Sequence, residues 1–260
     1  MATARAFYVP DGTWFLPTEW TRGPWDEGAQ HAGPPAALVG RAIESLGPEG
    51  FQVARFTLEV LRPIPLAPLQ VQASVVRPGR RVQFAEAQLV TADMEVARAS
   101  AWSIRASDPT LPEVALGPTD FPGPDRSPPA ETFAPGWDPS YLTAMEWRAV
   151  RGSFLEPGPA SMWIRMRVPL VDGEEPSPLG RVLAAADSGN GISNVLPLGR
   201  YLFINTELTV HLARPLEGEW VCLDAVTRVD PRGIGLAEST MWDERGLFGR
   251  GSQSLLVAPR

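Results

Sequence analysis

The feature that most restricts what this chain can fold into is an internal repeat. A constant offset of 152 residues, without gaps, sets Thr57 on Thr209, Arg62-Pro63 on Arg214-Pro215, Ala85-Glu86 on Ala237-Glu238, Arg98 on Arg250 and Ser100 on Ser252. Register kept over that distance, with an Arg-Pro pair at a strand end in both copies, is hard to obtain by chance. The chain therefore reads as two copies of one fold. The order of elements agrees. Phe7 to Leu16 reads as a hairpin around Asp11-Gly12. Pro34-Pro35 opens a helix that carries Leu38, Ala42 and Ile43 on one face and stops near Gly47-Pro48. Strand-like runs follow at 53–62, 69–77, 82–91 and 95–105. In the second half, runs at 145–154 and 160–169 precede a helix at 177–187. Further runs come at 202–213, 219–229, 233–242 and 247–257. This predicts an α+β class in which each copy wraps an antiparallel sheet around one long helix. The helix-to-helix offset differs from 152, so the connections ahead of the sheets vary in length.

Between the copies, residues 107–136 are rich in proline and poor in large apolar side chains, a composition suited to a linker laid over a surface. The expected units are residues 1–106, the linker 107–136 and residues 137–260. A net charge of −7 argues against nonspecific nucleic-acid binding. The N-terminal residues lack the apolar core of a signal peptide and no run approaches a membrane span, so a cytoplasmic protein is expected. The single cysteine, Cys222, lies among Trp220, Val221 and Leu223 and reads as a buried strand thiol and not a nucleophile. With two histidines and one cysteine, no metal site and no cofactor is expected. There is no phosphate loop, dinucleotide fingerprint or Gly-x-Ser-x-Gly elbow.

The stretch Ser177 to Ile192 carries the clearest candidate for chemistry. Ser177 is a candidate N-cap and Pro178 suits the first helical position, while Leu179, Val182, Leu183 and Ala186 mark one buried face. Asp187 follows Ala184-Ala185-Ala186, and Gly189 and Gly191 are expected to end the helix in a flexible loop. On local pattern alone Asp187 could be no more than a polar helix terminus. Gln253 stands where the first copy has Ala101, so the copies differ there.

A sheet wrapped around one apolar helix is the hotdog fold, and two copies make a double hotdog. The chain resembles the TesB-type (type II) acyl-CoA thioesterases. The segments that carry the resemblance are Gln30-His-Ala-Gly-Pro-Pro-Ala-Ala-Leu, Leu183-Ala-Ala-Ala-Asp-Ser-Gly-Asn-Gly, Phe203-Ile-Asn-Thr-Glu-Leu-Thr-Val-His-Leu-Ala-Arg-Pro and Gly251-Ser-Gln-Ser-Leu-Leu-Val. The resemblance implies hydrolysis of acyl-CoA to the free acid and coenzyme A. It also implies a water-activating trio: an Asp at the helix end, a Thr or Ser on the next strand and a Gln on the last strand. Asp187 and Gln253 match; the hydroxyl position, counted back from the shared Arg-Pro, falls on Asn205, with Thr206 beside it.

In this reading Asp187 is the base. Shielding by the alanines would raise its pKa, and Gln253 and Asn205 would hold the water between them and the carboxylate. His31, Gly33, Gly189 and Asn190 are expected to line the substrate, with backbone N–H groups near Gly189 or at the start of the first helix offered to the oxyanion. Asp26 and His31 also stand at the five-residue spacing of hotdog enoyl-CoA hydratases, but Glu27-Gly-Ala-Gln replaces the intervening Asn-Pro. Trp14, Trp20 and Trp25 could cap an acyl tunnel or simply pack. A non-catalytic acyl-CoA-binding protein is the other reading, since Asn205 cannot act as a hydroxyl would. The exposed sheet edges of such a fold predict a dimer or larger homo-oligomer.

Overall fold

The computed structural model describes residues 6–106, 111–112, 117, 121–132, 138 and 140–260. Strands β1 (Tyr8–Asp11) and β2 (Trp14–Pro17) form the expected hairpin, with Gly12 at φ +61° in its turn. Helix α1 (Gly33–Glu44) has both prolines in its first turn, where no helical N–H is needed. Strands β3 (Phe51–Val60), β4 (Gln70–Arg77), β5 (Val82–Val90) and β6 (Glu95–Arg105) pair antiparallel over it.

The second copy begins with a short helix α2 (Tyr141–Ala144) and strands β7 (Met145–Arg151) and β8 (Ala160–Met166). Helix α3 (Pro178–Ala186) starts as its sequence predicts, the Gly180 N–H donating to the Ser177 hydroxyl at 3.0 Å. A one-turn helix α4 (Gly189–Ile192) follows. Strands β9 (Tyr201–Asn205), β10 (Glu207–Leu212), β11 (Val221–Val229), β12 (Ile234–Asp243) and β13 (Gly246–Pro259) complete the chain. Strand order in the single large sheet is β4-β5-β6-β3-β10-β13-β12-β11-β8-β7, with β9 also paired to β13. Alternating residues of the sheet, such as Phe56, Leu58, Leu208 and Val210, bury against the two helices as one core.

The repeat has a geometric meaning. β3 and β10 join the two halves, and Thr57 lies opposite Thr209, its own counterpart 152 residues away. The Thr209 hydroxyl donates to that of Thr57 at 3.2 Å. A position paired with its own repeat lies on a two-fold axis, so a pseudo-dyad passes between these threonines. The pairing obeys it elsewhere: Thr57 faces Ser100 as Thr209 faces Ser252, and Ala85 faces Ala101 as Ala237 faces Gln253. α1 and α3 lie antiparallel across the same axis. A Cβ on Gly33 would sit 2.4 Å from the Ala184 carbonyl oxygen, and one on Gly40 2.4 Å from Leu183 Cδ1, so glycine allows this approach.

Two local expectations change. The run 202–213 is two strands, because the chain breaks ladder at Thr206. The first copy shows the same irregularity as a register shift between Val53 and Arg55, at Ala54, the counterpart of Thr206. Gly189 and Gly191 do not open a loop. Neither has a positive φ, and both belong to α4. Gly189 is required for another reason: a Cβ there would lie 2.6 Å from Ser239 Oγ and 3.2 Å from Gln253 Oε1. His211, in an otherwise apolar run, sits on the exposed face of β10. Cys222 is buried, and burial pushes its thiol well above the ordinary range, as a structural cysteine requires.

The described part of the 107–136 stretch runs along β7: Ala130 N–H donates to the Trp147 carbonyl at 2.9 Å, and Ala149 N–H to that of Pro128 at 2.8 Å. Among the described residues no helix is long and apolar enough to cross a membrane.

Candidate active site

Asp187 is the C-cap of α3, and it is only 3 % exposed. The β9 residue Asn205 donates from Nδ2 to its Oδ1 at 2.8 Å. The β13 residue Gln253 donates from Nε2 to the same oxygen at 3.0 Å and to the Asp187 backbone carbonyl at 3.1 Å. Gln253 Oε1 in turn accepts the Asn190 N–H at 3.1 Å, which ties α4 to β13. The other carboxylate oxygen, Oδ2, lies 3.1 Å from His31 Nδ1. The amides of Ala32 and Gly33 at the start of α1 also donate to the carboxylate. The network thus draws on both copies: α3, β9 and β13 from the second, and the entry to α1 from the first.

His31 is fixed from behind. Its N–H donates to the Thr21 carbonyl at 2.8 Å, and the preceding Gln30 is held through its N–H to Ile64 O (2.7 Å) and its side chain to Tyr8 (2.7 Å) and Pro65 O (2.7 Å). The imidazole stacks on the Tyr141 ring, centroids 3.7 Å apart and planes 7° from parallel. Tyr141 donates its hydroxyl to the Ala184 carbonyl at 2.7 Å and meets Ser188 Oγ at 2.8 Å, one residue on each side of the helix end that holds Asp187.

Burial sets the electrostatics. It pushes Asp187 up to about 7, against the pull of the Asn205 and Gln253 amides, and pushes His31 down to about 3. The Asp187–His31 contact is therefore not an ion pair. Near neutral pH the imidazole is uncharged and its Nδ1 is an acceptor, 3.1 Å from the Gly33 amide, which also donates to the carboxylate, and 3.1 Å from Oδ2, so a hydrogen bond between Oδ2 and Nδ1 requires the carboxyl proton and is present below about 7. Burial likewise raises the Tyr141 hydroxyl, which stays neutral.

Of these groups Asp187, Asn205 and His31 line a cleft of about 420 Å³, walled by Trp25, Leu61, Ile64, Leu202 and Ile204, with Asn190 and Thr206 also on its lining. Of the residues singled out in the sequence, Asp187, Asn205, Gln253 and His31 share one hydrogen-bonded cluster. Asn205 and Gln253 donate directly to the carboxylate and do not stand off across a water-sized gap. Thr206 lies at the rim and its hydroxyl turns away to the Ser254 carbonyl at 3.3 Å. The α1 amides expected to serve an oxyanion are instead directed at Asp187 and His31. Gly189 packs behind Gln253. Asp26 accepts the Gly28 N–H at 2.8 Å and forms no pair with His31, whose Nδ1 is turned to Asp187. Of the three early tryptophans only Trp25 reaches this cleft. Sequence reading missed Tyr141 and Ser188; nothing in their spacing announces a ring stacked on a histidine 110 residues earlier. Among the described residues no cluster of three or more His, Cys, Asp or Glu side chains could hold a metal ion.

The fold is a double hotdog, and the family whose domains match it is one of thioester hydrolases. The chain belongs to the acyl-CoA thioesterase family: the family's N-terminal domain matches residues 21–104 and its C-terminal domain residues 124–257. No curated protein sequence matches it. Among solved structures, it is similar to a hotdog-fold protein of unknown function from Alicyclobacillus acidocaldarius (18 % identity, TM-score 0.75, covering 96 % of this chain and 95 % of that one). It is also similar to a candidate thioesterase from Novosphingobium aromaticivorans (22 %, 0.71, 97 % and 99 %) and a candidate thioesterase II from Thermobifida fusca (16 %, 0.75, 98 % and 96 %).

Proposed function

We propose that this protein hydrolyses acyl-CoA thioesters with Asp187 as the general base, residues 1–106 and 137–260 being its two hotdog units and 107–136 their connection. The observation that carries this reading is a buried carboxylate, raised to about 7, at the floor of a largely apolar cleft in a chain of the acyl-CoA thioesterase family. A base of that pKa is half ionised near neutral pH and accepts a proton efficiently there. A water entering beside Asn205 gives its proton to Asp187 as its oxygen bonds to the thioester carbonyl carbon. The tetrahedral intermediate then expels the coenzyme A sulfur, which takes that proton back, leaving the free acid and the thiol. Gln253 and Asn205 keep Oδ1 oriented through two amide donors, and Asn205 retains its carbonyl oxygen to accept from the water. Neutral His31, stacked on Tyr141, lies beside Oδ2 and adds no charge to the site, while the Ala32 and Gly33 amides supply donors to the ionised carboxylate.

The test is release of coenzyme A from short, medium and long acyl-CoAs across pH 5 to 9. Turnover should rise with pH through a midpoint near 7, as Asp187 ionises. It should fall by a factor of about 100 or more in Asp187→Asn with acyl-CoA binding kept. Binding of every chain length with no release would leave the acyl-CoA-binding reading in its place.

A further inference from the structure

Attack on a thioester places negative charge on the former carbonyl oxygen, and hydrolysis needs a hydrogen-bond donor there. The donors nearest to Asp187 are already engaged. The Ala32 and Gly33 amides are directed at its carboxylate, and that of Gly33 also faces His31 Nδ1, an acceptor. The two N–H groups of Gln253 go to the Asp187 carbonyl at 3.1 Å and to Oδ1 at 3.0 Å, and Gln253 is not on the cleft lining. The Gln30 amide donates to the Pro65 carbonyl at 2.7 Å, and the Thr206 hydroxyl turns to that of Ser254. Asn205 gives an N–H to Oδ1 at 2.8 Å and offers its oxygen to the water.

Asn190 differs from all of these. It is only 5 % exposed and lines the same cleft as Asp187 and Asn205. Asp187 (φ −67°, ψ −10°) and Ser188 (φ −81°, ψ −4°) keep right-handed helical backbone, so the path runs on from α3 into α4. Residues 187 and 190 thus stand three apart on one helical face. On its other side Asn190 meets β9, with Nδ2 3.5 Å from the Phe203 carbonyl, two residues before Asn205. That distance is well beyond the usual value of about 2.9–3.0 Å, and the contact engages at most one of the two N–H groups. A buried amide donor met so weakly calls for a partner that the empty cleft does not hold. We infer that Asn190 is the oxyanion donor of the thioester hydrolysis proposed above, and the inference rests on that reading. As the water oxygen bonds to the thioester carbon, the carbonyl π pair moves onto its oxygen, which accepts the Nδ2–H of Asn190. When that pair re-forms the C=O bond, the C–S bond breaks and the sulfur leaves with the proton from Asp187. Asn190 neither gains nor loses a proton. Its main-chain N–H donates to Gln253 Oε1 at 3.1 Å, so one residue links the support of the carboxylate to that of the oxyanion.

Asn190→Leu nearly keeps the side-chain volume and Asn190→Ala removes it, while both retain the main-chain N–H that holds Gln253. Each should lower kcat for coenzyme A release by about 100- to 1000-fold. The pH midpoint should stay near 7, because Asp187 is untouched. An S-alkyl coenzyme A thioether, which has no carbonyl, should bind within about threefold of wild type. A coenzyme A trifluoromethyl ketone, which takes up water to form a tetrahedral adduct, should lose affinity by about the factor lost from kcat. A kcat within about threefold of wild type in both variants would overturn the assignment. So would ketone affinity that survives the loss of kcat, or thioether affinity that falls along with it, which would mark Asn190 as a support of the fold. If wild type releases no coenzyme A from any acyl-CoA, the hydrolase reading fails and takes this role with it. A wild type that turns over, matched by both variants, removes only the role of Asn190.

Discussion

The buried pair Asp187–His31 makes an unusual demand on how stability depends on pH. In the unfolded chain Asp187 titrates near 3.8 and His31 near 6.5, so between these values the pair carries one proton, on the imidazole. In the fold Asp187 titrates near 7 and His31 near 3, so over the same range the pair again carries one proton, now on the carboxyl. Stability changes with pH only as the proton counts of the two states differ. Here they match, and the contribution of the pair should be nearly flat from about pH 4 to 6.5.

Removing either partner exposes a slope. In His31→Gln only Asp187 remains. The fold keeps its proton up to about 7 while the unfolded chain loses it near 3.8, so stability falls as pH rises, by on the order of 4 kcal/mol across that window. In Asp187→Asn only His31 remains. The unfolded chain binds a proton below 6.5 that the fold refuses until about 3, so stability falls as pH drops, by on the order of 5 kcal/mol. The assay is urea unfolding at half-unit steps from pH 4 to 8, each variant subtracted from wild type so that the other carboxylates cancel. Opposite slopes in the two difference curves are expected, together with an Asp187→Asn variant more stable than wild type at pH 8. Difference curves that are flat, or of the same sign, would refute the neutral-pair assignment.

Three further substitutions probe the frame around the site. Arg214→Ala should cost about 3 kcal/mol in urea unfolding, because it strands the fully buried Asp243 carboxylate that it holds at 2.5 and 2.6 Å; the amides of Glu217, Arg245 and Gly246 keep the loss at the low end for a broken buried pair. Tyr141→Phe keeps the ring on His31 but leaves the Ala184 carbonyl unmet, so a loss of about 1–2 kcal/mol is expected with a lower kcat and little change in KM. Gly33→Ala pushes a methyl to 2.4 Å from the Ala184 oxygen and must part α1 from α3; a loss of about 1–3 kcal/mol should appear as a lower Tm, together with reduced turnover.

The elements that the sequence announced well were those with local causes. Pro34-Pro35 and Ser177-Pro178 mark helix starts whatever surrounds them, and Asp11-Gly12 marks a turn. Thr57 and Thr209 were legible as repeat partners, but that they face each other on a dyad is a fact of pairing between strands. Where tertiary contact decides, local rules misled. Gly189 read as a helix stop because glycine favours left-handed backbone; its actual cause is Ser239 and Gln253 pressing on the space of its Cβ. The polar character of Asp187, Asn205 and Gln253 was visible, yet not that both amides would converge on one carboxylate oxygen. His31 belonged to another copy by sequence and could be joined to Asp187 only through the antiparallel packing of α1 on α3.

That packing also accounts for why a duplicated fold needs only one chemical site. An antiparallel helix pair has two ends, and the dyad gives each end a carboxyl-bearing helix terminus, a facing helix start and a strand wall. The carboxyl alone is not selective: Glu44, half-buried, is raised above its ordinary value by the same burial that raises Asp187. The distinction comes from the strand that passes beneath. β13 brings Gln253 to one end and β6 brings Ala101 to the other, and the break at Thr206 turns an amide toward the carboxylate where its counterpart at Ala54 leaves Val53. Three substitutions on a common frame separate an end where Asn205 and Gln253 donate to a carboxylate from one where Val53, Ala54 and Ala101 stand in the places of Asn205, Thr206 and Gln253.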